Sequence, residues 1–396
     1  MTKSVLAQFG PAIVLTILIL TAAVFAQVNV VYIESNVGQV SGKNSVFALK
    51  NDGKGKLTPI KGSPFLTGGT GVFEMNSVFA PGFSADQEIV VNTVGTLLFA
   101  VNGDSDTITS FAINSDGSLT KLATAASNGQ DPVSIGLDEI SPAGPQMTVV
   151  NQANDPNQTG GVPNATSFTV DLTTGILTPV ANSTITFPTG NAPTQALVSP
   201  SGKFVFMPAG STLYSFSVEA SGLLILNNTQ SGAGFIGEAA NPKQRALYVG
   251  MAAVNQFAVD TYNMRGELAL SRIVVDPGSL PSWFTINSAG THLYVVESGT
   301  RTITLYNIGG ANVLNPQQLQ HLTLSASTDV PTNLKLDPTG EFLYVLGLQP
   351  NGQTPGNFLH VLNVSSIDGT LTETQTPIKI PVRNGEVPMG LAVVLK

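Results

Sequence analysis

Residues 97–122 read Leu-Leu-Phe-Ala-Val-Asn-Gly-Asp-Ser-Asp-Thr-Ile-Thr-Ser-Phe-Ala-Ile-Asn-Ser-Asp-Gly-Ser-Leu-Thr-Lys-Leu, and this stretch decides the fold. It opens on a short apolar run, passes a loop, and reaches Ile108 to Ile113, where apolar and polar residues alternate. Ser115-Asp-Gly then makes a turn, and Leu119 starts another short strand. Alternation that runs into a glycine marks a hairpin, because glycine takes the positive φ that such turns need.

The same pattern returns along the chain. Ser45-Val-Phe-Ala-Leu leads to Asn51-Asp-Gly, Ser167-Phe-Thr-Val to Thr173-Thr-Gly, and Leu213-Tyr-Ser-Phe-Ser-Val to Ala220-Ser-Gly. Asn255-Gln-Phe-Ala-Val leads to Met264-Arg-Gly and Leu359-His-Val-Leu-Asn-Val to Ile367-Asp-Gly, while Ile303-Thr-Leu-Tyr-Asn-Ile completes the set. In the clearest copies a proline opens the preceding strand, a turn follows, and then comes Leu-Tyr-Val or a relative. Pro193 leads to Phe204-Val-Phe, Pro281 to Leu293-Tyr-Val and Pro331 to Leu343-Tyr-Val. Four antiparallel strands a, b, c and d per unit, in units of about fifty residues, match the blade of a β-propeller. A parallel β-helix would have shorter, more regular coils. The two ends of the chain are also complementary. Val28 to Ile33 reads as a strand b with no strand a before it, and Pro388-Met-Gly-Leu-Ala-Val-Val reads as a strand a with nothing after it. Pairing them closes a ring of seven blades and leaves no open sheet edge. The expectation is an all-β, single-domain seven-bladed propeller over residues 27–396, and a monomer.

Composition agrees. The 396 residues include 40 Gly and 25 Pro but are only 11% charged, which suits many short strands. The net charge of −8 excludes a nucleic-acid footprint. There is no Cys, hence no disulfide framework and no thiol chemistry. Met1-Thr-Lys3, the apolar run from Ala12 to Phe25, and Ala26-Gln27 resemble a secretory signal peptide over residues 1–26. The alternative is an uncleaved membrane anchor. Cleavage implies a periplasmic or secreted protein with no further membrane contact.

Through these units, above all Ala100-Val-Asn-Gly and Ile113-Asn-Ser-Asp-Gly-Ser-Leu, the chain resembles the lactonase seven-bladed propeller family of 6-phosphogluconolactonase-like and muconate-lactonising-like proteins. The resemblance spans everything after the leader. It implies a small sugar-like or lactone ligand at the mouth of the central channel, and lactone hydrolysis as the reaction if the chain is an enzyme. It also implies a His just after a strand-opening proline, with Arg and Glu from neighbouring blades. Here Val133, Thr194, Ser282, Thr332 and Met389 hold that position. A general base would then be a carboxylate or a metal-bound water. The rival reading is a non-catalytic scaffold propeller that binds a protein or polysaccharide.

Three acids stand just before strand-opening prolines: Asp131, Asp329 and Glu386. From three blades they are expected at the upper mouth, able to hold calcium or sugar hydroxyls. Trp283, two residues after Pro281, could stack on a ligand ring there or, as a lone aromatic more often does, pack between blades, and Arg301 and Arg383 could supply positive charge. The three histidines, His292, His321 and His360, are expected at ordinary surface or strand positions. Long loops at 34–44, 151–164 and 347–357 fall on the same upper face, and an insertion at 68–84 is expected to fold against the ring.

Overall fold

The computed structural model describes residues 1, 28–73, 85–191, 193–325, 329–348, 357–383 and 385–396. The seven units form seven separate antiparallel sheets, each built from one four-strand repeat. Blade 1 joins both ends of the chain: Met389–Leu395, Asn29–Glu34, Ser45–Asn51, and an outer strand split into Leu57–Pro59 and Phe65–Leu66. Blade 2 is Ile89–Val91, Leu97–Asn102, Thr107–Ile113 and Leu119–Ala126. Blade 3 is Pro132–Asp138, Gln146–Asn151, Asn164–Val170 and the split pair Leu177–Pro179 and Ile185–Thr186. Blade 4 is Leu197–Val198, Phe204–Ala209, Thr212–Val218 and Leu224–Ser231. Blade 5 is Phe235–Ala240, Ala246–Met251, Gln256–Tyr262 and Leu268–Val275, and blade 6 is Pro281–Ile286, His292–Glu297, Thr302–Asn307 and Gln317–Thr323. Blade 7 is Val330–Leu336, Phe342–Leu348, Phe358–Val364 and the pair Leu371–Glu373 and Ile378–Lys379.

The b strands are the most apolar runs because both their faces lie against neighbouring blades. Every residue of Leu97–Asn102 is buried, whereas Leu119–Ala126, at the outer edge, alternates with solvent. The core is therefore a set of slices between blades; Val31 and Ile33 of blade 1, for instance, pack with Tyr344 and Leu346 of blade 7. Where an outer strand meets Pro59 or Pro179, the ladder stops, since proline has no N–H to donate.

Polar clamps fasten blade to blade at the lower turns. The hydroxyl of Tyr32 donates to the Gly117 carbonyl of blade 2 at 2.8 Å, and Tyr294 to the Gly369 carbonyl of blade 7 at 2.9 Å. Gln146 Nε2 reaches the Gly222 carbonyl at 3.0 Å and Ser215 Oγ the Gly266 carbonyl at 2.6 Å. Gly117 has φ of 83°, and a Cβ there would also run into Val30 and Ile60 of blade 1. The turn glycines thus serve the hairpin and the blade boundary together.

Ring closure follows the expected pairing. Asn29 faces Leu395, Val31 faces Val393 and Ile33 faces Leu391 in an antiparallel ladder. Val28 and Lys396 extend it by exchanging backbone hydrogen bonds of 2.8 and 2.9 Å. The leader lies outside the described residues. Among those described, no helix is long and apolar enough to cross a membrane.

Candidate functional site

The turns that enter the inner strands and the loops between strands b and c share the upper face, as expected. The three acids expected to converge there instead belong to three separate networks. Glu386 accepts backbone N–H groups from Gly38 at 2.9 Å and Gln39 at 3.1 Å, so it anchors the 34–44 loop. Asp329 turns into blade 7, where His360 Nε2 bonds its Oδ2 at 2.9 Å and His360 Nδ1 bonds Glu373 Oε1 at 2.7 Å. His360 is at a strand position, on Phe358–Val364, but it is fully buried and bonded on both ring nitrogens. Burial alone would lower its pKa, but the hydrogen bonds and charges of Asp329 and Glu373 push it up to about 9. Asp329 fits because Gly347 has no side chain; a Cβ there would collide with the carboxylate.

Asp131 is fully buried with a left-handed backbone, its N–H donating to Asp106 Oδ1 at 2.8 Å. Burial, and then the charge of Asp155, raise its pKa to about 7. Among the described residues, no three acidic or imidazole side chains stand together as a ready metal site. The calcium site expected from Asp131, Asp329 and Glu386 is therefore not formed by those three.

Trp283 is 2% exposed and packs in the slice with Leu334, Leu343 and Val345. Its indole fills the space left by Gly237, where a Cβ would meet the ring. It is a packing residue, away from any ligand surface. Arg301 sits half-buried at the start of strand c in blade 6 with φ of 60°, and Arg383 is exposed before the inner strand of blade 1. The charge of Arg383 acts on Glu386, which serves the loop anchor. His292 is half-buried, and His321 Nδ1 bonds the Thr304 hydroxyl at 2.8 Å.

The described part of the 68–84 insertion folds against the ring: the Val72 N–H donates to Asn36 Oδ1 at 2.8 Å. Its 74–84 portion lies outside the described residues, as does most of the 347–357 loop. The chain resumes at Ala85 and crosses the upper end of the channel. Asn333 Nδ2, from blade 7, donates to the Ala85 carbonyl at 3.4 Å and to Asp86 Oδ1 at 2.9 Å. The Asp86 N–H reaches the Thr194 carbonyl of blade 4 at 3.3 Å, and the Gln87 carbonyl accepts the Ile135 N–H of blade 3 at 2.9 Å. Gln195 Nε2 closes the link to Gln87 Oε1 at 3.1 Å.

Below this crossing lies a cavity of about 210 Å³ between the inner strands, walled by Asp86, Gln87, Gln195, Glu238 and Lys335. Thr285, Ile286, Ser288 and Lys335 are shared with a lower-face groove of about 680 Å³ between blades 6 and 7, so the two volumes adjoin. Glu238 is buried with neither carboxylate oxygen bonded, and burial followed by the charge of Asp260 holds its pKa well above the usual carboxylate range. Burial also raises Asp86, with the Lys335 ammonium and Asn333 opposing. None of these five was singled out from sequence. The available signal was Asp86-Gln87-Glu88, an acidic stretch just before an inner strand, as at Asp131.

No family model and no curated protein sequence matches this chain. Solved structures do. A periplasmic gluconolactonase of Pseudomonas aeruginosa is 14% identical with a TM-score of 0.68, over 93% of this chain and 99% of that one. The chain has the fold of the 6-phosphogluconolactonase-like propellers. A candidate 6-phosphogluconolactonase of Bacteroides fragilis is 14% identical with a TM-score of 0.67, over 92% of this chain and 98% of that one. A protein of Lactobacillus plantarum reaches 15% and 0.69, over 93% and 99%. At such identities the likeness is one of fold, and the chemistry has to be argued from the residues.

Proposed function

We propose that this chain is an exported lactonase-type propeller that binds a small sugar-like or lactone ring in its central channel and hydrolyses it. The observation that carries the reading is a single cavity of about 210 Å³ whose wall holds two carboxyl groups with raised pKa and one ammonium. Perturbed acids beside an electrophile-stabilising donor in a ligand-sized hollow are the signature of acid–base catalysis. The ligand was expected at the upper mouth; the site is proposed lower in the channel because residues 85–87 occupy that end.

In this reading Asp86 takes a proton from water, and the resulting hydroxide adds to the lactone carbonyl carbon. Lys335 holds the negative oxygen of the tetrahedral intermediate. Collapse breaks the ring C–O bond, and Glu238, kept protonated by burial, gives its proton to the leaving alkoxide. Gln87 presents its amide nitrogen to ring hydroxyls, its Oε1 being held by Gln195, which is itself tied to the Glu238 backbone. The product is the open hydroxy acid.

The test is hydrolysis of a panel of aldonolactones by the purified chain. Asp86→Asn should lower kcat/KM by about 10²–10⁴, and Lys335→Met by about 10²–10³. Glu386→Gln, in the loop anchor, should leave it unchanged. Full activity in Asp86→Asn, or no turnover of any lactone by the parent, would overturn the catalytic reading. Export rests on the leader: the mature protein should begin at Gln27, and N-terminal sequencing that finds Met1 would refute cleavage.

A further inference from the structure

The channel cavity, at about 210 Å³, falls short of the ~300–1,000 Å³ of an ordinary ligand pocket, and the lower-face groove between blades 6 and 7 that adjoins it adds about 680 Å³. Residues 85–87 cross the upper end of the channel, held by Asn333, Thr194 and Ile135. Lys335 lines both volumes and is exposed, so the junction between them is reached from below.

Two equivalent turns wall the groove, residues 287–291 entering strand b of blade 6 and residues 337–341 entering strand b of blade 7. Ser365 and Ser366, after strand c of blade 7, close a third side. The turns satisfy themselves: Asn287 Oδ1 accepts the Thr291 and His292 N–H groups at 2.8 and 3.0 Å, and Asp337 Oδ1 the Phe342 N–H at 2.8 Å. Other groups are left over. The hydroxyls of Thr285, Ser288 and Ser366 line the hollow and make no hydrogen bond among the described residues. Ile286, Leu336 and Val364 give it a half-buried aliphatic strip. Charge is not in excess. Lys335 stands against Asp337 and Glu341, and burial holds the pKa of His292 below the usual histidine value. Uncommitted hydroxyls, an aliphatic strip and balanced charge suit a neutral sugar, which bonds through its hydroxyls and lays its C–H faces on apolar side chains.

We propose, on the lactonase reading of the channel cavity, that the groove binds a neutral glycosyl group carried by the lactone ring. The substrate is then a glycosylated aldonolactone and not a free one. With the carbonyl oxygen on Lys335, the ester end of the ring lies at the junction of the two volumes. The glycosyl group therefore leaves from the hydroxymethyl carbon beside the ester. A group on the oxygen across the ring would point up at residues 85–87 instead.

The experiment gives the full mature chain three lactones: gluconolactone, melibionolactone with galactose on the hydroxymethyl oxygen, and lactobionolactone with galactose across the ring. Melibionolactone should exceed gluconolactone about tenfold in kcat/KM, the worth of one or two net hydrogen bonds. Lactobionolactone should show no gain. Ser366→Trp, which fills the groove at a residue outside the cavity wall, should cancel the preference. Ser201→Trp, in the lower-face groove between blades 4 and 5, should keep it. Calorimetric affinity of Asp86→Asn for the same lactones in mildly acid buffer needs no turnover and so separates the groove from the chemistry. Turnover of all three lactones at one kcat/KM would leave the lactonase reading standing and overturn the groove as a sugar site, as would a preference that survives Ser366→Trp. Tighter binding of melibionolactone to Asp86→Asn, with no lactone hydrolysed by the parent, would keep the groove and overturn the catalysis. Equal affinity for all three, or binding of none, would overturn the groove.

Discussion

Asp329 in blade 7 and Asp131 in blade 3 occupy equivalent places, just ahead of an inner strand opened near a proline, and both are buried. Their surroundings are opposite. Asp329 meets His360, the third residue of its strand c, and His360 carries Glu373 on its other nitrogen. The third residue of strand c in blade 3 is Thr166, whose hydroxyl bonds Thr184 at 3.0 Å. Asp131 is left with a backbone partner and the repulsion of Asp155. The propeller repeat sets where an acid stands, but one residue on a neighbouring strand decides whether its charge is compensated.

Removing the compensation should have the largest effect. His360→Ala leaves Asp329 and Glu373 buried without their cation, and chemical denaturation should show a loss of about 3–5 kcal/mol. A loss no larger than that of an exposed substitution would mean the triad is not charged. The pH dependence then separates the two regions. The pKa of His360 is raised to about 9, so its contribution is complete below the ordinary histidine value near 6.5 and is lost as pH rises through about 9. Asp104 and Asp131 are raised to about 6 and about 7, so theirs is complete below the ordinary carboxylate value and is lost as pH rises through 6 to 7. Denaturation curves against pH should therefore fall in two steps. His360→Gln should remove the alkaline step and spare the neutral one. Asp131→Asn should do the reverse with a smaller change, since asparagine accepts the left-handed backbone at this position. A single step that neither variant alters would erase the distinction between the regions.

The ring itself was legible because its signals are local. Alternation into a turn recurs along the chain, most units have a strand-opening proline, and Val28 to Ile33 is completed by Pro388 to Leu395. The placement of Asp131, Asp329 and Glu386 at the turns entering inner strands was legible for the same reason. Their partners were not. Gly38 and Glu386 are 348 residues apart, and Asp329 reaches His360 only because Gly347 leaves room. The crossing of the channel by residues 85–87 depends on Asn333, about five blades later in the chain. Whether Trp283 stacks on a ligand or packs between blades was not legible, because the space it fills is made by Gly237 on another blade. Periodicity predicts which elements exist; contacts between blades choose where side chains point.

The central claim is that the ligand lies in the channel below residues 85–87. Its most direct test is a crystal structure of the protein with a bound aldonolactone or its open hydroxy acid. The account predicts density in the cavity walled by Asp86, Glu238 and Lys335, with a ligand carboxylate or carbonyl oxygen on the Lys335 ammonium. Density on the upper face among the 34–44 and 152–158 loops, with the channel cavity holding only solvent, would contradict it.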